Sequence, residues 1–309
     1  MGNIFSNIAL QVAILFIMVL LGFVLGRTKM VETSAAKSIT NILLYVVTPC
    51  VIIKSFWERE FSVKDFKKLL LSFLLAALSH LIFIALSNIF IKDKDQKNQR
   101  VLRFGAIFSN CGFMSIPLQQ AILGGEGVFY GASYVAIFNL FAWTYGVSLM
   151  KGSKKSLLSK KAFLNPGVIA FTIGLILFVS SVPAPKIFFE TLSYIGALNT
   201  PLPMMLIGLY LSNSRFIGNL KNRMFLFSSA LRLVIMPLIT LGIFWLCGIR
   251  GALLISLSIS VSAPVAVNTS MFAERFGNNT SLSASMVSFT TLLSLITMPL
   301  IVILATWVS

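Results

Sequence analysis

Acidic residues are scarce in this chain of 309 residues, which carries nine Asp and Glu against 25 Lys and Arg. Charged residues make up 11% of the sequence and hydrophobic residues 57%, whereas a soluble domain carries about 25% charged residues. The net charge of +16 therefore reflects missing acids and not an abundance of bases. This balance excludes a typical soluble domain and indicates a protein embedded in a lipid bilayer, with its bases confined to loops.

Other absences exclude further classes of protein. The three cysteines, Cys50, Cys111 and Cys247, lie in apolar stretches, so a disulfide framework is not expected. An intramembrane enzyme would need a nucleophile with a base, a carboxylate pair or a metal cluster, and a chain with one His and no spaced Cys/His ligands predicts none of these and no cofactor. Nucleic-acid binding is not expected either, because the bases are spread over short loops.

Apolar runs near 20 residues, the length that crosses a bilayer, occur about ten times. The predicted spans cover residues 5–26, 38–56, 69–91, 101–123, 128–150, 166–182, 187–212, 226–247, 251–274 and 284–308. The remaining residues form only loops and short ends, so any chemistry must take place within the membrane or at its faces. The first run is too long and continuous for a cleavable signal, and we count it as a span.

The distribution of bases predicts the orientation of the chain. Seventeen of the 25 bases fall in odd-numbered loops and seven in even-numbered loops, so we expect cytoplasmic odd loops and both termini outside the plasma membrane. The loop between spans 2 and 3 is interpreted as a short amphipathic segment on the outer surface, because Phe61, Val63 and Phe66 stand among charges.

Arg232 is the one base set inside a predicted span. We interpret it as a side chain that snorkels to the cytoplasmic edge of span 8. The alternative interpretation is a counter-ion for a bound substrate.

The hydrophilic segment 151–163 divides the chain into two halves of five spans, residues 1–150 and 164–309, and is interpreted as a short basic cytoplasmic linker. Because five is odd, two such halves enter the membrane from opposite sides. The sequence therefore predicts an inverted repeat, an architecture typical of secondary transporters.

Prolines recur at matched places in the two halves. Pro201 of span 7 follows Pro49 of span 2 by 152 positions, and Pro264 of span 9 follows Pro117 of span 4 by 147 positions. A proline breaks or kinks a helix, and freed backbone groups in lipid are tolerated only against protein or water. Matched breaks next to amides and hydroxyls therefore favour a binding site over ordinary kinks.

The break in span 4 has a predicted structure of its own. Ser115 is expected to cap a new half-helix whose first turn holds Pro117. If the breaks of spans 4 and 9 cross at mid-membrane, two half-helix amino ends converge there, each with unpaired N–H groups and about half a positive charge. Such a point would bind a carboxylate. The candidate binding residues are Ser109, Asn110, Cys111, Gly112, Asn139, Asn268 and Thr269.

In the segments SNCGFMSIPL and SAPVAVNTSMFAERFG the chain resembles the auxin efflux carrier family, which includes plant PIN auxin carriers and bacterial malate or malonate permeases. The family pattern Asn-x-Gly-Phe-x-x-x-Pro of the fourth span is matched by Asn110, Gly112, Phe113 and Pro117. The pattern of the ninth span is matched by Ala263, Pro264, Asn268 and Ala273.

This resemblance implies an all-α integral membrane fold of ten helices in a 5+5 inverted repeat, similar to sodium–proton antiporters and bile-acid symporters. Spans 1, 2, 6 and 7 would form a scaffold, and spans 3–5 and 8–10 a transport domain that moves past it in an elevator mechanism. Asn110 and Asn268 would flank a substrate carboxylate, and Pro117 and Pro264 would mark the crossing. The implied substrates are small organic anions such as malate, malonate or auxin-like acids.

The sequence leaves the driving force open. No acid falls at mid-span, and His80 in span 3 is the interior group whose ordinary pKa lies near neutrality, so it either carries a proton or packs as a hydrogen-bonded residue. Na⁺ could bind hydroxyls, amides and unwound carbonyls, as in a sodium-coupled symporter of the bile-acid type. Uniport is a further alternative, and a passive channel fits the internal repeat less well. The oligomeric state is equally open, a homodimer included.

Overall fold

The computed structural model describes residues 2–153, 165–212 and 217–309, so Arg215 and most of the predicted linker 151–163 lie outside the described residues. The described chain is almost entirely helical. Its one extended pairing is an isolated antiparallel bridge between Ser109 and Val265. The predicted all-α class is therefore confirmed for the part of the chain that the structure describes.

The helices before the predicted linker are α1 (Gly2–Arg27), α2 (Thr33–Ile42), α3 (Thr48–Trp57), α4 (Val63–Phe90), α5 (Gln96–Ile107), α6 (Ile116–Phe141) and α7 (Val147–Lys151). Three π-helical turns precede or join them: Leu43–Val47, Cys111–Ser115 and Ala142–Gly146. The helices after the linker are α8 (Pro166–Ser180), α9 (Lys186–Ala197), α10 (Pro201–Ser212), α11 (Arg223–Ala230), α12 (Met236–Leu246), α13 (Gly251–Ser262), α14 (Asn268–Arg275) and α15 (Thr280–Val308). A 3-10 turn, Ile217–Lys221, precedes α11, and a π-helical turn, Leu231–Ile235, joins α11 to α12.

Several of these helices are long and apolar enough to cross a membrane. Within the described residues six stretches meet this condition: Ser38–Trp57, Val63–Phe90, Cys111–Lys151, Lys186–Ser212, Arg223–Leu246 and Thr280–Val308. Shorter apolar helices cover Ala13–Arg27, Pro166–Ser180 and Gly251–Ser262. Large apolar side chains such as Tyr194, Leu246 and Trp307 are exposed on the outside, which suits a surface in contact with lipid. These features support a multi-pass membrane protein.

The longest helical stretch bends at Gly124. Its φ of 61° lies in the left-handed region, which a glycine adopts without steric cost. The bend falls between the predicted spans 4 and 5, so the chain reverses direction there and the second part of α6 runs back across the protein.

Helices α1 and α10 pack with their backbones in direct contact. A Cβ atom at Gly208 would lie 2.9 Å from the carbonyl carbon of Gly22, and one at Gly26 would lie 2.9 Å from the Cβ of Ser212. Each helix thus presents two small residues four positions apart, the arrangement that lets membrane helices approach closely.

Helices α3 and α8 make a second close pair. A Cβ at Gly174 of α8 would lie 3.0 Å from the ring of Phe56 in α3. That ring also stacks near Phe129 of α6, with centroids 4.6 Å apart, and Phe129 lies 5.2 Å from Phe178. This aromatic cluster joins α3 and α8 to the main apolar core, which α4, α5, α6, α12, α13 and α15 also form.

Contacts between loops divide the protein into two ends. At one end, Asn279 donates to Asn98 at 2.9 Å and Asn278 donates to the Met150 carbonyl at 2.9 Å, which joins the predicted loops 3–4, 5–6 and 9–10. At the other end, Arg59 pairs with Glu126 at 3.4 Å and joins loops 2–3 and 4–5. The odd loops named here therefore share one end of the protein.

The structure corrects the prediction for the loop between spans 2 and 3. Ser62 accepts a hydrogen bond from the Asp65 amide at 3.0 Å and caps α4, so that Val63 and Phe66 belong to the first turn of this helix. Phe61 packs on Phe178, with centroids 5.4 Å apart. The predicted separate amphipathic segment is wrong, because the cap begins the long membrane helix within the charged stretch itself.

Candidate functional site

Two broken helices cross in the interior of the protein. Helix α5 ends at Ile107 and the chain becomes helical again at Cys111, whereas α13 ends at Ser262 and α14 begins at Asn268. The extended segments between them run antiparallel. The Asn110 amide donates to the Pro264 carbonyl at 2.7 Å, and the Ala266 amide donates to the Phe108 carbonyl at 3.0 Å. Each break thus satisfies backbone groups of the other, as a low-dielectric membrane interior requires.

Asn110 occupies the amino end of the half-helix that leads into α6. Its side-chain oxygen accepts a hydrogen bond from the Phe113 amide at 3.4 Å, which makes Asn110 the N-cap. Its Nδ2 is buried and has no hydrogen-bond partner among the described residues. A buried amide donor without a partner costs free energy, about 1–3 kcal/mol, so this atom is a natural donor to a bound ligand.

The predicted cap at Ser115 is wrong. The half-helix starts five residues earlier, with Asn110 as its cap and the π-helical turn Cys111–Ser115 as its first turn. Ser115 instead donates to the Ile259 carbonyl of α13 at 3.3 Å. The Asn110 side chain had already capped the first turn, so a second start was not required.

Gly112 faces open space directly beside Asn110. A Cβ added there would meet no heavy atom within 4 Å other than those of its chain neighbours and the backbone of its own helical turn. Its sequence neighbours Ser109 and Cys111 are buried. Of the four predicted residues in this segment, Gly112 is therefore the one next to which a ligand could approach the backbone.

The second half-helix, α14, starts without a side-chain cap. Val267 occupies the N-cap position, and its apolar side chain cannot accept a hydrogen bond. Asn268 is half-buried at the first helical position, and Thr269 is buried with a hydroxyl that has no partner within the described part of the chain. The amino end of α14 thus offers the Thr269 hydroxyl and the positive end of its helix dipole near the crossing.

Thr290 of α15 stabilises the crossing through a hydrogen bond, and the sequence did not predict this residue. Its hydroxyl accepts a hydrogen bond from the Val265 amide at 3.2 Å and donates to the Met286 carbonyl at 2.7 Å. Nothing in the sequence singles out one threonine among the many hydroxyls of α15, because its partner lies 25 positions away.

Arg232 lies at the carboxyl ends of the broken helices and not at the edge of the membrane. Its side chain is fully buried. The Nε donates to the Ala263 carbonyl at 3.1 Å, and Nη1 donates to the carbonyls of Ala106 and Ile107, each at 3.2 Å. Nη2 donates to the Val261 carbonyl. The predicted snorkelling role is wrong, because the guanidinium reaches inward to four backbone carbonyls.

The four matched prolines have different places. Pro264 lies in the crossing itself, where its carbonyl accepts from Asn110. Pro117 lies in the first turn of α6, beyond the π-helical turn, so the span-4 break is upstream of it. Pro49 is the second residue of α3 and Pro201 the first of α10, and there Thr48 donates to the side-chain oxygen of Asn199 at 3.1 Å. The breaks of spans 2 and 7 therefore also meet.

The hydrogen bonds and ring contacts of His80 and Asn139 do not involve the two Asn residues of the crossing. His80 is buried among aromatic rings, stacked on Phe141 with centroids 5.3 Å apart, and its Nδ1 bonds the Ala76 carbonyl of its own helix at 2.8 Å. Asn139 donates to the Val135 carbonyl at 2.9 Å and lies against Gly167 of α8. The His80 Nε2 has no partner among the described residues.

Long apolar helices, two of them broken and crossed, with buried donors at the crossing, define a membrane transport protein. A family model described as "Membrane transport protein" matches residues 7–302, so the chain belongs to this family, which is the auxin efflux carrier family. The resemblance seen in spans 4 and 9 is thereby confirmed.

Two archaeal proteins illustrate the similarity over the whole chain. An "Uncharacterized transporter" of Methanothermobacter thermautotrophicus is 25% identical over 301 residues, which cover 96% of this chain and 98% of the relative. An uncharacterized transporter of Methanocaldococcus jannaschii is 26% identical over 301 residues, which cover 94% of this chain and 96% of the relative.

Proposed function

We propose that this protein is a secondary transporter, active or facilitative, that moves small organic anions such as malate, malonate or auxin-like acids across the plasma membrane. The observation that carries this proposal is the unpartnered Nδ2 of Asn110, buried at the amino end of a half-helix and next to the open space at Gly112. A carboxylate placed there would accept from this amide and would be stabilised by the positive end of the helix dipole.

The ligand class follows from the donors at the crossing. Asn110 Nδ2 and the Thr269 hydroxyl can both donate, and the amino ends of two half-helices add partial positive charge. None of the nine acids of the sequence lies in the crossing segments 108–112 and 263–269, so no fixed negative charge there would repel an anion.

The proposed architecture is an inverted repeat of ten spans. Span 1 pairs with the second part of span 7 through Gly22 and Gly208, and span 6 pairs with the second part of span 2 through Gly174 and Phe56. Gly174 follows Gly22 by 152 positions, the separation that also relates Pro201 to Pro49. Equivalent contacts between the two halves, related by one separation, support two halves with the same fold that pack against each other symmetrically.

The proposed motion is an elevator movement of spans 3–5 and 8–10 past spans 1, 2, 6 and 7. Where α1 and α10 face α6 and α15, the contact is apolar and contains a cavity of about 30 Å³ lined in part by Met114, Met204 and Met298. Methionine side chains adapt to irregular surfaces, so such a contact can repack as one group of helices slides along the other.

The test is uptake and counterflow in proteoliposomes with radiolabelled malate, malonate and an indole carboxylate. Asn110→Ala is expected to lower uptake to the level of empty liposomes, because the carboxylate loses its side-chain donor and the half-helix loses its cap. Asn88→Ala is the matched control, since this Asn also lies on a membrane helix but is exposed and donates to the Tyr145 hydroxyl at 3.1 Å. Both variants should remain monodisperse and keep a cooperative thermal transition. Unchanged uptake by Asn110→Ala would contradict the assignment.

A further inference from the structure

Arg232 is a buried positive charge with no carboxylate partner in the part of the chain that the structure describes. It is the only Lys, Arg, Asp or Glu that is buried among the residues whose burial the structure describes. The ion pairs found among the described residues both involve Arg59 and lie at the surface. A charge of this kind is very costly to bury unless it is hydrogen-bonded on all sides, so its partners should reveal its function.

The partners of Arg232 are the carboxyl ends of the two broken helices. Ala106 and Ile107 are the last residues of α5, whereas Val261 and Ala263 stand at the end of α13. The last carbonyls of a helix have no intrahelical partner, and together they carry about half a negative charge. One guanidinium thus serves two helix ends that would otherwise leave unpaired acceptors in the membrane interior.

The guanidinium has too few free N–H groups to be a direct substrate ligand. Four of its five N–H groups point at these carbonyls. One face is covered by the ring of Phe83, whose centroid lies 5.0 Å from the guanidinium carbon. An incoming carboxylate would have to break several of these contacts, so the earlier alternative of a substrate counter-ion does not fit the geometry.

We propose that Arg232 is a positioning residue, the built-in cation that joins the carboxyl ends of α5 and α13 and cancels their partial negative charge. The other side of the crossing then presents only the positive amino ends of the half-helices that begin at Cys111 and at Asn268. This arrangement makes the site selective for anions without a base in contact with the substrate. In that last step the inference rests on the proposed transport of organic anions, whereas the cation site itself does not depend on it.

The first test needs no substrate. Arg232→Ala leaves a guanidinium-sized space lined by carbonyls, so guanidinium chloride at low millimolar concentration is expected to raise the melting temperature of this purified variant saturably, by about 5 °C. Tetramethylammonium chloride at the same ionic strength should not raise the melting temperature of this variant. The native protein and Arg103→Ala should show no such rise. Arg103 is the matched control because it also donates to carbonyls at a helix end, those of Ile91 and Asn88, but outside the crossing.

The second test separates charge from packing. Arg232→Lys keeps the charge, and Arg232→Met keeps only a similar length. Arg232→Met is expected to raise KM for malate, or for the substrate found in the uptake panel, about tenfold or more relative to Arg232→Lys, because the methionine leaves the partial negative charge of the helix ends uncancelled. A tenfold change corresponds to a loss of about 1.4 kcal/mol in the free energy of substrate binding.

Because Arg232→Lys keeps the cation at the carbonyls, it is also expected to melt at a higher temperature than Arg232→Met. Three results would overturn the proposal: no selective rescue of Arg232→Ala by guanidinium, equal melting temperatures of Arg232→Lys and Arg232→Met, or equal KM values of these two variants. If Arg232→Ala does not fold, the Lys and Met pair decides. If no carboxylate is transported at all, the proposed function fails while the melting experiments still test the cation site.

Discussion

Asn110 stands at the amino end of one half-helix, and Arg232 binds the carboxyl ends of two others. The two residues thus have different roles at the crossing. Asn110 leaves one donor free for a ligand, whereas the donors of Arg232 are consumed by the protein. At the scale of single residues the difference between a binding group and a supporting group is whether its hydrogen-bonding capacity is already used.

A first prediction concerns substitutions at the single residue Gly112. Gly112→Ala should leave the free energy of unfolding unchanged or raise it by up to about 1 kcal/mol, since the added Cβ meets open space and Ala favours a helix. Gly112→Leu should leave folding intact but lower carboxylate uptake at least about tenfold, because its side chain fills the space beside Asn110. Uptake assays together with thermal melting check both variants.

A control for this prediction is available in α12. Gly242 also has open space at its Cβ position and lies on a membrane helix away from the crossing. Gly242→Leu should transport at the native rate. Equal uptake by the two leucine variants would show that the space at Gly112 is not on the path of the substrate.

At the scale of elements, helix pairs are held by residues with little or no side chain. The backbones of α1 and α10 touch at Gly22 and Gly208, and this contact depends on the absence of a Cβ. In lipid, where the hydrophobic effect does not drive helices together, van der Waals contact between backbones supplies much of the association.

The α1–α10 contact gives the second prediction. Gly208→Ala is expected to destabilise the protein by about 1–3 kcal/mol, the typical cost of overpacking, since its Cβ would lie against the backbone of Gly22. The measurement is the melting temperature in detergent, with Gly242→Ala as control. A melting temperature of Gly208→Ala equal to that of the control would show that the two helices can separate without cost.

At the scale of the whole molecule, the distribution of the bases behind the charge of +16 predicts an orientation in the membrane. The contacts between loops place the odd loops 3–4, 5–6 and 9–10 at one end. Loop 7–8 joins the same end, since Asn219 donates to Ser285 near the start of α15 at 2.8 Å. Basic residues that are far apart in sequence therefore lie on one face of the protein, which the positive-inside rule assigns to the cytoplasm.

The orientation is testable with a native cysteine. Cys247 is exposed and caps the carboxyl end of α12, at the predicted outer end of span 8. In a background with Cys50→Ser and Cys111→Ser, a membrane-impermeant maleimide should label Cys247 in intact cells. In the same background with Cys247→Ser added, Lys94→Cys in loop 3–4 should react only after the membrane is permeabilised. The reverse pattern of labelling would contradict the predicted topology.

The sequence by itself determined the class of the protein. Few acids and long apolar runs are sufficient for a membrane protein, and the residues around Asn110 and Pro264 are sufficient for the family. It also located both helix breaks, because proline and glycine act on the backbone locally. The predicted cap at Ser115 lies five residues after the observed cap at Asn110, since either residue could have served as a cap.

Only the tertiary structure decided which groups meet. Arg232 is separated by 125 and 126 positions from its partners in α5 and by 29 and 31 positions from those in α13, and these partners are backbone carbonyls that any residue type supplies. The bond from Thr48 to Asn199 spans 151 positions. Local sequence patterns report where a helix loses its hydrogen bonds, but which distant groups replace them depends on how the helices pack.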